Sequence, residues 1–492
     1  MGEREHAVVI AGAGPAGMML AAELALAAVD VVVVEQRPDQ VLAGSRAGGV
    51  GARTVELFDQ RGIAERFLAE GKPHQVVMFG GSVLEIGDFP TRHPYTLAIF
   101  QNRIERIMAD WLAELRLAVR YGSEVTGFEQ DGAGVDIAVA DGSSLRARYL
   151  VGCDGGRSVI RQAAGIEFPG WDPTRSNLIA EVEMPDAPER ELRHDATGVH
   201  GLHRMEDGTT FRVIVTEQRL QTGGAPTLRT LSEALIAVFG TDFGARNPTW
   251  MSRFTDATRQ AAAYRDRRVL LAGDAAHIHY PAGGQGLSLG LQDAMNLGWK
   301  LAQVVNGTSP EILLDTYHSE RHPVAARTLR HTMAQGALQR RDDRTQALVD
   351  EVSELAVMDE PRRHIGGLMS GLDIRYDLGE GHPLLGRRVP DLDLSTAEGP
   401  LRIFELLREA RPVLLNLGEP GSLDPGARIG RVRLTDAACE AAWELPVIGT
   451  VAAPAAVLIR PDGYVAWVGD GTDRGLADAL STWFGAAAPQ VA

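Results

Sequence analysis

The chain has 492 residues, too many for one ordinary hydrophobic core, so two or three domains are expected. A net charge of -16 repels phosphate backbones and anionic lipid, which argues against nucleic-acid and membrane-surface partners, while 45% hydrophobic and 23% charged residues is an ordinary globular balance. Cys153 and Cys439 are the two cysteines, too distant in sequence to suggest a disulfide framework or a thiolate metal site, and no uninterrupted apolar run approaches the roughly 18 residues of a membrane helix.

No leader-like segment precedes the first strand pattern, so a cytoplasmic location is expected. "HAVVIAG" reads as a short buried strand, "PAGMMLAAELALAA" as a helix and "VDVVVVE" as a second buried strand, which together make a βαβ unit. A polar, glycine-containing loop over 36–53 follows. "TVELFDQRGIAERFLAEG" and "NRIERIMADWLAEL" have helical patterning, and residues 118–154 carry further strands. From about 175 to 255 the pattern alternates with a period of two, as in "NLIAEVEMP" and "TTFRVIVTEQ", which predicts an inserted antiparallel sheet.

The α/β texture returns at about 267 and runs through helical segments to about 375. Residues 379–400 read as a Pro/Gly-containing linker. Beyond it, "PVLLNLG", a helical "DAACEAAWE" and the hairpin "AVLIRPDGYVAWVG" with a Pro-Asp-Gly turn predict a small separate α/β unit.

Three motifs carry chemistry. Gly12, Gly14 and Gly17, with Pro15 and Ala16 between them, form a G-x-G-x-x-G turn between strand and helix, where backbone can approach a pyrophosphate lying on the positive helix end. Glu35 ends the second strand, placed to accept from a ribose hydroxyl pair. Such glycines alone can be a plain strand-to-helix connection; strand, helix and acid together favour a dinucleotide site. The second motif is "YLVGCDGGRSVIR", in which a strand delivers Asp154, Ser158 is placed to cap a helix and Arg161 lies a turn further on; a capped turn without function has the same appearance. The third is "LAGDAAHIHYPAGGQGLSLGLQDAMNLGWKL", in which a strand delivers Asp274 to a glycine loop. A helix follows, whose free N-terminal amides can stabilise an anion.

These stretches, with "SRAGGVGARTVELFDQRGI", resemble the FAD-dependent aromatic hydroxylases of the para-hydroxybenzoate hydroxylase type, the group A flavoprotein monooxygenases. Within that group the chain is most similar to actinomycete polyketide hydroxylases and rifampicin monooxygenases. The resemblance spans most of residues 7–330. It implies an α/β FAD-binding domain, Rossmann-like and of the glutathione-reductase type (1–75, 100–174 and 265–385), an antiparallel substrate-binding sheet domain (76–99 and 175–264) and a thioredoxin-like C-terminal domain (395–492). The C-terminal domain has no C-x-x-C motif, so a structural or oligomerisation role is expected there.

The resemblance further implies that Gly12, Gly14, Pro15, Ala16 and Gly17 surround the FAD pyrophosphate and that Glu35, with Gln36 and Arg37, meets the adenosine ribose. Arg46 would reach the flavin or its phosphates, Gln101 would contact FAD and Val125 would meet the adenine. Asp154 would serve both FAD and the reduced nicotinamide. Asp274 would hold the ribityl chain, and Pro281, Gly284, Gly286 and Leu287 would edge the isoalloxazine ring. Ser288 departs from the asparagine usual in the family after the "GQG" element.

On that resemblance the co-substrates are NADPH or NADH and O2, and the expected reaction hydroxylates a phenolic or polycyclic aromatic, polyketide-like substrate through a flavin C4a-hydroperoxide. Arg212, alternating with Phe211 and Val213, is the candidate catalytic side chain at a phenolate or quinone oxygen, although a solvent-facing strand arginine is commoner. For His277, His279 and Tyr280 a packing role is favoured over proton transfer. The "HQVVMFGG" stretch around His74 either lines the substrate cavity or is core or an edge strand. No metal site is expected, and the chain is read as a monomer or homodimer. Two other readings stand beside the first: an antibiotic-modifying or Baeyer-Villiger monooxygenase on the same scaffold, and a non-catalytic protein that binds flavin or an aromatic ligand.

Overall fold

The computed structural model describes residues 5–340, 342–426 and 431–486. Its first layer is an eight-stranded sheet whose spine is parallel: β1 (His6–Ala11) lies between β2 (Val31–Val34) and the strand Ser144–Gly152, and the strands Val119–Arg120 and Val269–Leu271 extend it on either side. Val8, Val9 and Ile10 are wholly buried, because helices cover both faces of a parallel sheet and no residue of the strand is left a solvent side. Helix α1 (Pro15–Leu26) starts on Pro15, whose missing N–H costs nothing in the first turn. It packs along the helix Gln285–Val305, where Gly298 permits the close approach: a Cβ there would lie 2.5 Å from that of Glu23.

The alternating region forms a five-stranded antiparallel sheet in the order Arg190–His194, Val199–Arg204, Thr210–Thr216, Ser176–Glu183 and Arg246–Thr255. Its outer face buries Phe211, Val213 and Val215 against Leu231, Leu235 and Phe239 of the helix Leu228–Phe239. That helix is capped by Thr227 and stopped by Gly240 in the left-handed conformation. The other face carries Glu181 and Arg212 and looks toward the parallel layer. The hairpin Val76–Phe79 and Ser82–Glu85 is a separate two-stranded sheet, packed with Met369 and Leu372 near the helix Asp359–Ser370, so residues 76–85 add no strand to the five-stranded sheet.

The predicted helix over "TVELFDQRGIAERFLAEG" is two helices, Ala52–Gln60 and Ala64–Leu68, separated where Gly62 takes a φ of +72°. After the linker, a four-stranded sheet is ordered Arg433–Asp436, Val413–Asn416, Ala456–Ile459 and Val465–Gly469; the first pair is parallel and the others antiparallel. The expected helix at "DAACEAAWE" is absent. Asp436 ends a strand and accepts from Asn416 Nδ2 at 2.7 Å, Ala438 bridges to Ser395, and Trp443 is buried, so tertiary contacts override an alanine-rich propensity.

Candidate functional site

The first glycine turn is shaped by three different constraints. Gly12 has a φ of +105°, and a Cβ there would meet the Cys153 carbonyl oxygen at 2.3 Å; one on Gly17 would meet the Gly12 carbonyl oxygen at 2.0 Å. Gly14 has nothing within 4 Å of its would-be Cβ and faces an open cavity of about 640 Å3. The free space is on the ligand side of the turn, where a second glycine lets a pyrophosphate reach backbone.

That cavity gathers Gly12, Gly14, Glu35, Gln36, Arg37, Arg46, Gln101, Val125 and Asp154 from six separate stretches of chain. Pro15, Ala16 and Gly17 stand behind its wall, in the first turn of α1. Glu35 accepts from the Ala13 N–H at 2.7 Å and the Arg37 N–H at 2.9 Å, fixing the turn from the end of β2. Arg37 reaches Glu105 at 2.8 Å and the Ala13 carbonyl at 3.1 Å. Gln101 donates to Glu105 at 2.9 Å one helical turn away and accepts from the Ala47 N–H at 3.4 Å.

Asp154 shows what the cavity is built to receive. Its Oδ2 accepts from the Ile160 N–H at 3.1 Å, while its Oδ1 is buried with no partner. Burial pushes its carboxyl above the usual aspartate range, against the hydrogen bonds from Ser158 and Ile160. Ser158 caps the following helix by accepting from the Arg161 N–H at 2.9 Å. A buried carboxylate oxygen without a donor fits a hydroxyl-rich ligand such as a ribose or ribityl chain.

The third motif meets the first in space. Gly273 has a φ of +63°, and a Cβ there would be 3.1 Å from that of Ala16, so the Gly273–Ala275 turn seats directly on the start of α1. Asp274 is exposed beside it, and Pro281 and Gly284 are exposed further along the loop. Gly284 precedes the helix Gln285–Val305 in a left-handed conformation without a side-chain cap, so the amides at Gly286 and Leu287 keep their capacity for a ligand. Ser288 Oγ accepts from the Gly51 N–H at 3.3 Å, which gives the departure from asparagine a local structural role.

Beneath this loop lies a buried ionic cluster. Asp293 accepts from His277 at 2.6 Å, from the Gly273 N–H at 3.3 Å and from Arg321 at 2.8 Å. Burial opposes its ionisation, yet His277 and Arg321 together hold the carboxyl below the usual value. His277 thus packs under the loop. His279 Nδ1 donates to the Tyr280 carbonyl oxygen at 2.8 Å, and burial lowers its pKa, favouring the neutral imidazole.

Arg212 is buried, 5.0 Å over the Phe100 ring, with its guanidinium on Glu181 at 3.2 Å and on the Arg46 carbonyl at 3.0 Å. Arg46 in turn reaches Ser252 Oγ at 2.9 Å. Sequence reasoning missed Glu105, Cys153, Arg157, Trp250 and Ser252, all on the cavity wall. Glu105 stands one helical turn after Gln101 and was findable by spacing. Trp250 and Ser252 share one face of an edge strand, and only the folded sheet brings them to Gly44 and Arg46. Among the described residues no group of three His, Cys, Asp or Glu side chains is arranged for a metal.

A parallel layer with a glycine turn, an antiparallel sheet facing it and a second glycine loop at an open helix end define a dinucleotide-binding oxidoreductase of the flavoprotein type. Comparison with known proteins gives the family. The family described as "FAD binding domain" matches residues 5–332, and that described as "Aromatic-ring hydroxylase, C-terminal" matches residues 382–487. A 12-dehydrotetracycline 5-monooxygenase/anhydrotetracycline 6-monooxygenase of Streptomyces rimosus is 44% identical, over 97% of this chain and 98% of its own. A rifampicin monooxygenase of Streptomyces venezuelae is 43% identical, over 98% and 99% of the two chains. The solved structure of the OxyS anhydrotetracycline hydroxylase from Streptomyces rimosus superposes with a TM-score of 0.90 at 42% identity, covering 99% of this chain and all of the other. The chain belongs to the FAD-dependent aromatic-ring hydroxylases, and it is a flavoprotein monooxygenase that uses NAD(P)H and O2.

Proposed function

We propose that this enzyme hydroxylates a polycyclic aromatic, polyketide-like phenol. The observation that carries the reading is the full-length similarity to enzymes named for tetracycline intermediates, and the Asp154-lined cavity and the uncapped start of the helix Gln285–Val305 support its cofactor requirement. FAD, when bound, supplies the two-electron chemistry that activates O2. The Gly12 turn, Glu35, Arg37, Gln101 and Asp154 would hold it, with Asp274 on its ribityl chain. The uncapped amides of Gly286 and Leu287 would stabilise negative charge on the bound group. The five-stranded sheet would shield the site from water.

Arg212 acts in this reading by holding the Arg46 segment through its carbonyl, and only secondarily as a candidate at the substrate oxygen. The C-terminal unit is read as thioredoxin-like without redox chemistry, since Cys153 and Cys439 are both free and lie in different units. Among the described residues no helix is long and apolar enough to cross a membrane, and a cytoplasmic monomer or homodimer is proposed. The proposed division assigns 1–75, 100–174 and 265–385 to the cofactor, 175–264 to the substrate-facing sheet with 76–99 beside it as a separate hairpin region, and 395–492 to the C-terminal unit. The rifampicin monooxygenase relative supports a second reading, an antibiotic-modifying oxygenase on the same scaffold.

The test is NADPH and NADH oxidation by purified protein against phenols, naphthoquinones, tetracyclic polyketides and rifamycins, with products weighed by mass spectrometry. A product heavier by one oxygen from a tetracyclic phenol supports the first reading, and one from a rifamycin alone supports the second. Bound FAD that no donor reduces with any of these ligands present removes both and favours a binding protein.

A further inference from the structure

The hairpin turn Arg460-Pro461-Asp462-Gly463 at the tip of the C-terminal unit is buried, with Arg460 0% and Asp462 1% exposed. Hairpin tips ordinarily run over the surface, where water satisfies their backbone. Here the Pro461 carbonyl accepts from Gln60 at 2.7 Å and from Arg61 at 2.9 Å, and the Asp462 carbonyl accepts from Arg388 at 2.7 Å. Arg460 lies 5.1 Å from the Trp299 ring and 4.7 Å from that of Trp483.

We propose that this turn is a positioning element for the flavin loop, acting across the unit boundary through an ionic chain that ends at Gly273. Arg460 binds Glu320 with two hydrogen bonds of 2.7 and 2.8 Å. Glu320 also accepts from Asn296 at 2.6 Å and Lys300 at 2.9 Å, both on the helix whose N-terminus faces the cofactor. Arg321, the next residue after Glu320, binds Asp293, which holds His277 and the Gly273 N–H beside Asp274. Every link is buried.

Lys300, Arg321 and Arg460 lie among Asp293, Glu320 and Asp462, all of them buried, with the buried Arg388 beside them at the Asp462 carbonyl. Removing one member leaves an uncompensated buried charge, and the remaining groups must shift to share it. The Gly273 turn lies at the end of the chain, its N–H held by Asp293, so a shift of Asp293 reaches it directly. A contact that served only to dock the C-terminal unit needs no continuation to Asp293; the continuation is what ties the turn to cofactor geometry.

The test compares Arg460→Met, Glu320→Gln and a control, Val457→Ala, with wild-type protein. Val457 is fully buried in the separate core of the C-terminal unit. FAD dissociation constants come from titration of the apoproteins, and ring geometry is read from the visible circular dichroism of the bound flavin. Arg460→Met and Glu320→Gln are expected to weaken FAD roughly threefold to thirtyfold and to alter the flavin dichroism. Val457→Ala is expected to lower the melting temperature with both flavin readouts unchanged.

Flavin constants within roughly twofold of wild type in Arg460→Met and Glu320→Gln, with unchanged dichroism, overturn the proposal even if both variants melt earlier. If Arg460→Met does not fold, Glu320→Gln, close to isosteric, decides alone. Wild-type protein that binds no FAD sinks the functional reading itself and is a separate outcome.

Discussion

A methyl group separates the roles of the glycines in the first turn. At Gly17 it would drive helix and strand apart, since the Gly12 carbonyl oxygen is 2.0 Å from the would-be Cβ. Gly17→Ala is therefore expected to destabilise even the apoprotein, by about 1–3 kcal/mol, seen as a lower melting temperature without cofactor. Gly14 has free space around it. Gly14→Ala should leave the apoprotein melt unchanged while weakening FAD by roughly tenfold, about 1.4 kcal/mol, because its methyl occupies the ligand's side. Equal losses in both apoprotein melts would contradict the division. Asp154→Ala removes the orphaned Oδ1 and the Ile160 contact together; a loss of about 1.5–3 kcal/mol in cofactor affinity is expected from a charged acceptor. At this scale the glycines and Asp154 were legible, because glycine's freedom and a carboxylate at a strand end are local properties. Trp250 and Ser252 were not, because their partners are some 200 residues away in sequence.

The helix Gln285–Val305 does several tasks at once: its start is left without a side-chain cap, Asp293 anchors the loop before it, and Asn296 and Lys300 join it to Glu320. Burial opposes ionisation of Glu320, but Arg460 and Lys300 hold its pKa down to about 2, against an ordinary 4.5. The unfolded chain thus binds a proton between about pH 4.5 and 2 that the folded chain does not, so this contribution is present above that window and is lost as pH falls through it. Urea unfolding across that range should show a pH-dependent slope that Glu320→Gln reduces; an identical slope in the variant would remove Glu320 as its source. The helix itself was predictable from its apolar spacing and its open glycine start. The failed helix at residues 436–444 shows the opposite case, in which short-range propensity met a strand end and a buried Trp443.

For the whole molecule, the buried Pro461 turn, whose carbonyl accepts from Gln60 and Arg61, and the Arg61 hydrogen bond to the Leu407 carbonyl at 2.7 Å tie the units into one body. A single thermal transition is expected. Saturating FAD should shift it upward with concentration, with about 2.7 kcal/mol gained at a hundredfold excess over the dissociation constant. Two transitions, of which FAD moves one, would show that the units melt independently.

The sequence by itself determined the parallel layer, the alternating sheet, the C-terminal strands and both glycine loops, because strand period, helix period and glycine turns are written in residues close together along the chain. The tertiary structure decided that the two glycine turns pack against each other, Gly273 on Ala16. It also decided that Arg212 is paired with Glu181 rather than facing solvent. The Pro-Asp-Gly turn, read from sequence as an ordinary hairpin tip, proved to be a buried plug in the cofactor domain. Burial and pairing depend on residues hundreds of positions apart, and no local pattern encodes which of them will meet.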